Sequence, residues 1–281
     1  MKGTWLEPDP IEVPAAFRDL VGGHPLVAEI LLRRGIVTPD AARAFLDPMH
    51  YRPTQPARLP GVEAAIERLS RAARAGETVV IWGDFDVDGQ TATAILMTAF
   101  TQLGMRASYY IPHRGEESHG LNKTALKGVL RDGASLLVTC DCGVSDTVEL
   151  EYCRQLGVEV IVADHHDLPA DPPPASVVID PKMLPSDDPL YNLCGAGVAY
   201  MLAAGLLAHF GRGRLAEDLL DLVALGTVAD VVPLLAENRY LVQRGLPVLA
   251  DGRRVGMRAL MRMINVTVSP YDANSVANDL A

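Results

Sequence analysis

A chain of 281 residues, 49% hydrophobic and 21% charged, has room for one large α/β domain or two small ones and the composition of a soluble globular protein. No apolar stretch reaches the roughly 18 uncharged residues needed to cross a bilayer, and the first residues lack the apolar core of a signal peptide, so a cytoplasmic chain with no membrane partner is expected. A net charge of −10 argues at first sight against nucleic acid.

In chain order, residues 1–23 are expected to be an irregular arm. Residues 24–46 predict two short helices, with Thr38, Pro39 and Asp40 as cap and first turn of the second. A proline-rich loop follows over 48–60, and 62–75 has helical periodicity with arginines on its polar face. Strands and helices then alternate. Strands are expected over 78–82, 107–111, 136–139, 158–163 and 177–179, and helices over 89–103, 121–131 and 146–156. This alternation predicts an α/β fold, a mostly parallel sheet with helices on both faces. From residue 195 to about 250 the pattern is mainly helical. The tail over 266–281 has no clear pattern. Residues 171–174, Asp-Pro-Pro-Pro, read as a stiff surface connector. Cys140, Cys142, Cys153 and Cys194 fit no zinc spacing and are expected to be buried reduced thiols.

The strongest local signal is the run Gly83-Asp84-Phe85-Asp86-Val87-Asp88-Gly89, between an expected strand and helix. Three carboxylates at alternate positions can converge on a cation, and Gly89 permits a sharp turn. An EF-hand loop would need Glu at its twelfth position, where this chain has Ile95. A plain acidic turn would leave three acids repelling one another with no counter-ion.

Three further sites are weaker alone. Asp141, between Cys140 and Cys142, ends a strand, where ligands gather in open parallel sheets, although a helix cap is its rival reading. Asp164-His165-His166 follows another strand; the histidines suit a transition metal and Asp164 can orient them, with a surface turn as the alternative. Asp230 stands alone in the apolar stretch Gly226-Thr227-Val228-Ala229-Asp230-Val231-Val232-Pro233, and an exposed loop acid is its alternative. Together these are oxygen and imidazole ligands without thiolate. That set suits manganese or magnesium better than structural zinc, and paired ions of this kind hydrolyse phosphate esters. Bound cations would also reverse the local sign of the charge. Six arginines against one acid between Arg239 and Arg262 make a basic strip.

In order, Asp84-x-Asp86-x-Asp88-Gly89, Asp141, Asp164-His165-His166 and Gly226-x-x-x-Asp230 resemble the four motifs of the DHH phosphoesterases. Gly23-His24-Pro25-Leu26, Ile111-Pro112-His113-Arg114, Leu193-Cys194-Gly195-Ala196-Gly197 and Ala229-Asp230-Val231-Val232-Pro233-Leu234 are similar to the RecJ exonuclease branch. The resemblance covers roughly residues 20–260. It departs where the branch reads Glu-Gly-Tyr-Gly and this chain has Glu117-Ser118-His119-Gly120.

The resemblance implies two divalent ions, Mn2+ or Mg2+. One would be held by Asp86 and Asp141 with Asp84 nearby, the other by Asp88, Asp141, His165 and Asp230. Catalysis would fall to His166, on the scissile phosphate, and Asp164. Arg114, His119, Gly195 and Gly197 would contact substrate, although close packing explains Gly195 and Gly197 equally well. The implied activity is a metal-dependent, single-stranded-DNA-specific 5′-to-3′ exonuclease of DNA repair and recombination that releases mononucleotides. Its implied partners are single-stranded DNA and a helicase or single-strand-binding protein. The implied organisation is an N-terminal arm with helices packed on the core over 1–75, a phosphoesterase core over 76–235, and a linker helix region over 236–281 leading to a second domain that this chain stops before.

Two other functions compete. Small-molecule or short-oligonucleotide phosphoesterases of the superfamily open with His-x-x-x-Asp-x-Asp, and this chain has Trp82 at the histidine position. A non-catalytic DNA-binding scaffold would have lost motif acids, and none is lost.

Overall fold

The computed structural model describes residues 8–270 and 272–279. The chain divides into two compact units, one up to Arg52 and one from Pro53. In the first, α1 (Ala15–Leu20), α2 (Pro25–Arg33) and α3 (Pro39–Leu46) bury Phe17, Val21, Ala28, Leu31 and Ala42 as their own small core. Proline opens both α2 and α3, and the Thr38 hydroxyl accepts the Ala41 N–H at 3.3 Å. The expected arm therefore contains one helical turn and a half, α1, whose period is too short to register as a pattern. Residues 1–7 lie outside the described residues.

The first α-helix of the second unit is α4 (Val62–Ala75), which thus falls in the same compact unit as the sheet, whereas the sequence predicts a boundary at residue 75. Val62, Ala65, Leu69 and Ala72 recur at helical spacing and are fully buried. Then follow β1 (Thr78–Trp82), α5 (Val87–Gln102), β2 (Arg106–Tyr110), α6 (Lys123–Val129), β3 (Leu136–Cys140), α7 (Thr147–Gln155), β4 (Glu159–Ala163) and β5 (Val177–Ile179). All neighbouring strands are parallel, in the order β2-β1-β3-β4-β5. Successive side chains alternate between faces. Val79, Ile81, Leu136, Val138 and Ile161 join one core with α4 and α5. Val80, Trp82, Leu137, Val160 and Val162 join the other, with Leu126 of α6 and Leu150 of α7. Each fully buried Leu, Ile or Val contributes about 1.5–3 kcal/mol of transfer free energy.

After β5 the chain is helical: α8 (Gly195–His209), α9 (Leu220–Ala229), α10 (Ala236–Asp251), α11 (Val255–Met263) and α12 (Asn274–Asp279). α8 and α9 are apolar all round because both lie inside the first core, with Ala199, Leu202, Ala203, Val223 and Ala224 fully buried. The tail is less patternless than its sequence: α12 is helical, and Val268 and Val276 are buried. All four cysteines are free and buried, as expected. No helix among the described residues is long and apolar enough to cross a membrane.

Candidate metal centre

The strand order reverses between β1 and β3. The chain leaves β1 for β2 on one side and returns to β3 on the other, so a crevice opens beyond the carboxyl ends of these two strands. The acids following both strands meet there.

After β1, the Asp86 carboxylate accepts the Gly89 N–H at 2.8 Å and caps α5. The cap starts the helix at Val87, two residues earlier than its periodicity suggests, and places Asp88 in the first turn, 2% exposed. Asp84 accepts the Phe85 N–H at 2.6 Å and meets His119 Nδ1 at 2.7 Å. A Cβ on Gly89 would lie 2.7 Å from the Asp84 backbone, so the loop closes this tightly only around glycine.

Asp88 accepts the N–H groups of Gly195 at 2.6 Å and Ala196 at 2.8 Å, taking the amino end of α8 as a partial positive charge. These amides are therefore committed to a carboxylate. Gly197 donates to Cys194 Sγ at 3.4 Å and packs against Leu193. Substrate contact by Gly195 and Gly197 thus gives way to close packing: a Cβ on Gly195 would lie 2.6 Å from the Asp141 carboxylate.

Asp141 directly follows β3 with φ +62°, a left-handed conformation that aspartate tolerates better than most residues. It is 2% exposed. Beyond β4, Asp164 is buried with its carboxylate filled. It accepts the Val144 N–H at 3.0 Å, the His165 N–H at 2.7 Å and the His166 N–H at 3.2 Å, and meets His166 Nδ1 at 2.7 Å. Its place is that of a positioning group that sets the histidine pair, not of a catalytic group touching substrate.

His165 reaches inward. Its Nε2 lies 3.0 Å from Asp141 Oδ1, 3.8 Å from Asp88 and 3.9 Å from Asp230, which caps the end of α9. Two clusters of converging ligand atoms result: Asp88 with His165 and Asp230, and Asp141 with His165 and His166. Asp84 and Asp86 belong to neither cluster, being held by His119 and by the α5 cap. Val231, which follows Asp230, has φ +58° and is exposed, a strained position for a β-branched residue.

Electrostatics separate these groups. Burial, then Asp88, Asp86, Asp164 and Asp230, push Asp141 up to about 11. Burial pushes Asp88 up to about 6, against the pull of His165. Burial and then Asp86 push Asp230 up to about 6. His165 is lowered by burial. His166, held by Asp164, is pushed up to about 9 and is a cation at neutral pH. Asp164 is held below its ordinary range: burial raises it, but His166 and the Val144 and His165 amides outweigh that burial.

The residues present fit divalent cations. Asp141 Oδ1 is buried with no hydrogen bond, although His165 Nε2 stands 3.0 Å away. That approach sets a carboxylate oxygen and an imidazole nitrogen side by side, both able to ligate one ion. The donors are carboxylate oxygen and imidazole nitrogen; the Cys140 thiol meets Thr93, the Cys194 thiol meets Thr227 and Asp88, and burial pushes both thiols up, which keeps them protonated and out of the ligand set.

At the rim, Arg114 lies over the Phe85 ring at 5.1 Å and His119 packs on the same ring at 4.1 Å. Arg114 shares a cleft with Asp86, Asp88 and Asp230; His119 shares one with Asp84, Asp141 and His166. Sequence reasoning passed over Phe85, though its place between two motif acids marks it. It also passed over Asp180, fully buried after β5 and pushed up to about 7 by burial, which carries the same signal as Asp141: an acid ending a strand. The basic strip is partly neutralised, since Arg253 pairs with Asp251 and Arg254 with Asp221.

Residues 78–227 match the N-terminal domain of the DHH family. The chain is 34% identical to the single-stranded-DNA-specific exonuclease RecJ of Bacillus subtilis over 92% of its own length and 32% of that protein. It is 41% identical to the Escherichia coli protein of the same name, over 74% of this chain and 38% of that one. The structure of RecJ from Thermus thermophilus in complex with Mn2+ superposes with a TM-score of 0.78 and 30% identity, covering 94% of this chain and 37% of the other. The chain thus spans about a third of the length of these relatives.

Proposed function

The chain belongs to the DHH family, and from that premise we propose that it carries the hydrolytic centre of a metal-dependent, single-stranded-DNA-specific exonuclease. It would release mononucleotides from a 5′ end in DNA repair and recombination, in the cytoplasm. The carrying observation is the unbonded buried oxygen of Asp141 beside Nε2 of His165, the residue common to the two ligand clusters. Asp88, His165 and Asp230 would hold one Mn2+ or Mg2+. Asp141 would be shared with a second, with Asp86 close by, while Asp84 braces His119. Held by these residues, such ions would supply acidity to a water and counter-charge to the phosphoryl oxygens. His166 offers an exposed cation whose Nδ1 is tied to Asp164, leaving Nε2 to donate to a non-bridging phosphate oxygen. Arg114, which lines the cleft with Asp86, Asp88 and Asp230, would take a neighbouring phosphate, with a bidentate geometry that lysine lacks.

The relatives named for single-stranded DNA support the substrate, as does Trp82, fully buried where small-molecule phosphoesterases place a histidine. A helicase or single-strand-binding protein would supply and present the strand. The test is digestion of 5′-labelled single strands of graded length, and of blunt duplex, with manganese or with chelator. Metal-dependent release of mononucleotides from long single strands, weakening steeply with salt, is expected. Equal digestion of duplex and single strand, or turnover confined to dinucleotides or pyrophosphate, overturns the reading; the second outcome favours the small-molecule branch.

A further inference from the structure

The segment between β2 and α6 carries two side chains at the rim of the metal centre, Arg114 and His119, yet it has no regular secondary structure beyond a single bridge of Arg114 to Glu117. Residues 113–119 are all exposed except one, Glu117, which is half-buried. Three donors converge on its carboxylate. The Tyr110 hydroxyl lies 2.8 Å from both oxygens, the His113 N–H 2.8 Å from one, and the Asn122 amide 2.8 Å from the other. An ionised carboxylate is acceptor-only and can accept from all three.

Each donor has a fixed footing. Tyr110 ends β2, and its ring packs on the fully buried Trp82 at 4.5 Å. Asn122 caps α6 by accepting the Ala125 N–H at 2.8 Å. His113 is the residue next to Arg114, and its carbonyl accepts the N–H groups of Glu116 and Glu117 at 3.1 and 3.0 Å. Beyond Glu117 the loop is tied again, with Gly120 O accepting from Trp82 Nε1 at 3.2 Å and the Leu121 N–H donating to Asp146 at 2.9 Å. Glu117 thus joins the end of a strand, the start of a helix and the turn between them, and no other side chain in this stretch does so among the described residues.

We infer that Glu117 is a positioning residue: tied to Tyr110, His113 and Asn122, it folds the 113–119 loop so that Arg114 and His119 face the substrate cleft. The inference rests on the proposed nuclease reading only for its kinetic consequence. Among the described residues Glu117 hydrogen-bonds to Tyr110, His113 and Asn122 and to no carboxylate or imidazole of the metal centre, so it acts through the loop. It also bears on the departure at Ser118-His119: with the loop clamped on both sides of these residues, a changed side chain at the rim need not change the loop's path.

The test compares Glu117→Ala, Glu117→Gln and Tyr110→Phe with the parent chain in three measurements: hydrogen exchange of the loop amides, manganese binding by titration, and kinetics on a 5′-phosphorylated single strand. In Glu117→Ala, exchange protection at Glu116 and Glu117 is expected to disappear while manganese binding is retained, and KM to rise on the order of tenfold with little change in kcat. Glu117→Gln, which still accepts from Tyr110 and His113, recovers most of both effects, and Tyr110→Phe shows a smaller loss in the same direction. Unchanged loop protection in Glu117→Ala overturns the inference, and so does a kcat loss accompanied by loss of manganese. Should Glu117→Ala fail to fold, the other two variants decide: Tyr110→Phe with parent-like exchange and KM overturns it. If no variant and no parent chain digests DNA, the nuclease reading fails, while hydrogen exchange still decides the role of Glu117.

Discussion

Both ends of the parallel sheet gather carboxylates, and they treat them in opposite ways. At the amino end, Glu77 precedes β1 and Glu159 opens β4, and the buried Arg68 of α4 reaches both, 2.8 Å from Glu77 and 2.9 Å from Glu159. Ser135 adds a hydrogen bond of 2.8 Å to Glu77, and Arg68 holds the Glu77 carboxyl below its ordinary range. At the carboxyl end, Asp88, Asp141 and Asp230 converge with no arginine or lysine within ion-pair distance of them among the described residues, and all three are pushed up. Where the acids only hold helices to strands, the fold supplies its own cation. Where it leaves them unmatched, the counter-charge is expected from solution.

Substitutions at the carboxyl end should break function. Asp141→Ala is expected to lower turnover on the order of 10³-fold or more and to weaken binding of both ions, because its unbonded buried oxygen stands beside His165, the residue common to both clusters. Two manganese ions bound with full activity would remove the basis of the contrast. His166→Ala should keep the metal and lose about 10²–10³ in rate, since only a donor to developing charge is removed. Manganese titration alongside single-turnover kinetics separates the two variants, and metal loss in His166→Ala would move that histidine into the ligand set.

The amino end should respond in stability alone. Arg68→Met leaves two glutamates without their shared cation. Both are partly exposed, which keeps the cost to about 2 kcal/mol, a Tm drop of roughly 5 °C. Activity per folded molecule should be unchanged, and a loss of turnover there would erase the functional difference between the two ends.

Much of this contrast was legible in the sequence. The strands β1 and β5 and the helix α4 fall where β-branched runs and helical spacing place them: α4 buries one periodic face, while β1 is apolar because both of its faces are covered. The acids of the centre stand out because alternate aspartates, or an acid ending an apolar strand, call for a partner, and four such signals in order point to a cation, although the same signal at Asp180 lies outside both clusters. What periodicity missed is set by hydrogen bonds between distant residues. The start of α5 is fixed by the Asp86 cap, and the use of the α8 amides by Asp88 spans more than a hundred residues. The clamp on Glu117 depends on a tyrosine and an asparagine that bracket an unpatterned loop, and no local spacing announces it. Arg68 read as one of several arginines on a polar helix face; only the sheet register brings Glu77 and Glu159 to it.

The smallest effect is the one that tests the contrast without any mutation. In the metal-free chain Asp88, Asp141 and Asp230 have pKa values above those of the unfolded chain, about 6, about 11 and about 6 against 3.8. Between the unfolded and folded values the native state holds protons that the unfolded state has released, so stability falls as pH rises through that window. His166 adds the same sign: raised from 6.5 to about 9, its favourable pairing with Asp164 is complete below 6.5 and lost as pH climbs through 9. The lowered acids Glu77 and Asp164 act only at the other extreme, losing their contribution as pH falls below the ordinary carboxylate range. With chelator present, thermal unfolding is therefore expected to shift down by a few degrees between about pH 5.5 and 8.5. Manganese needs its carboxylates ionised, so it should bind more tightly over the same interval and stabilise the folded chain by a margin that grows with pH. The two melting curves should diverge as pH rises. Parallel curves would mean that the carboxyl-end acids are already neutralised within the fold, and the distinction between the two ends of the sheet would be lost.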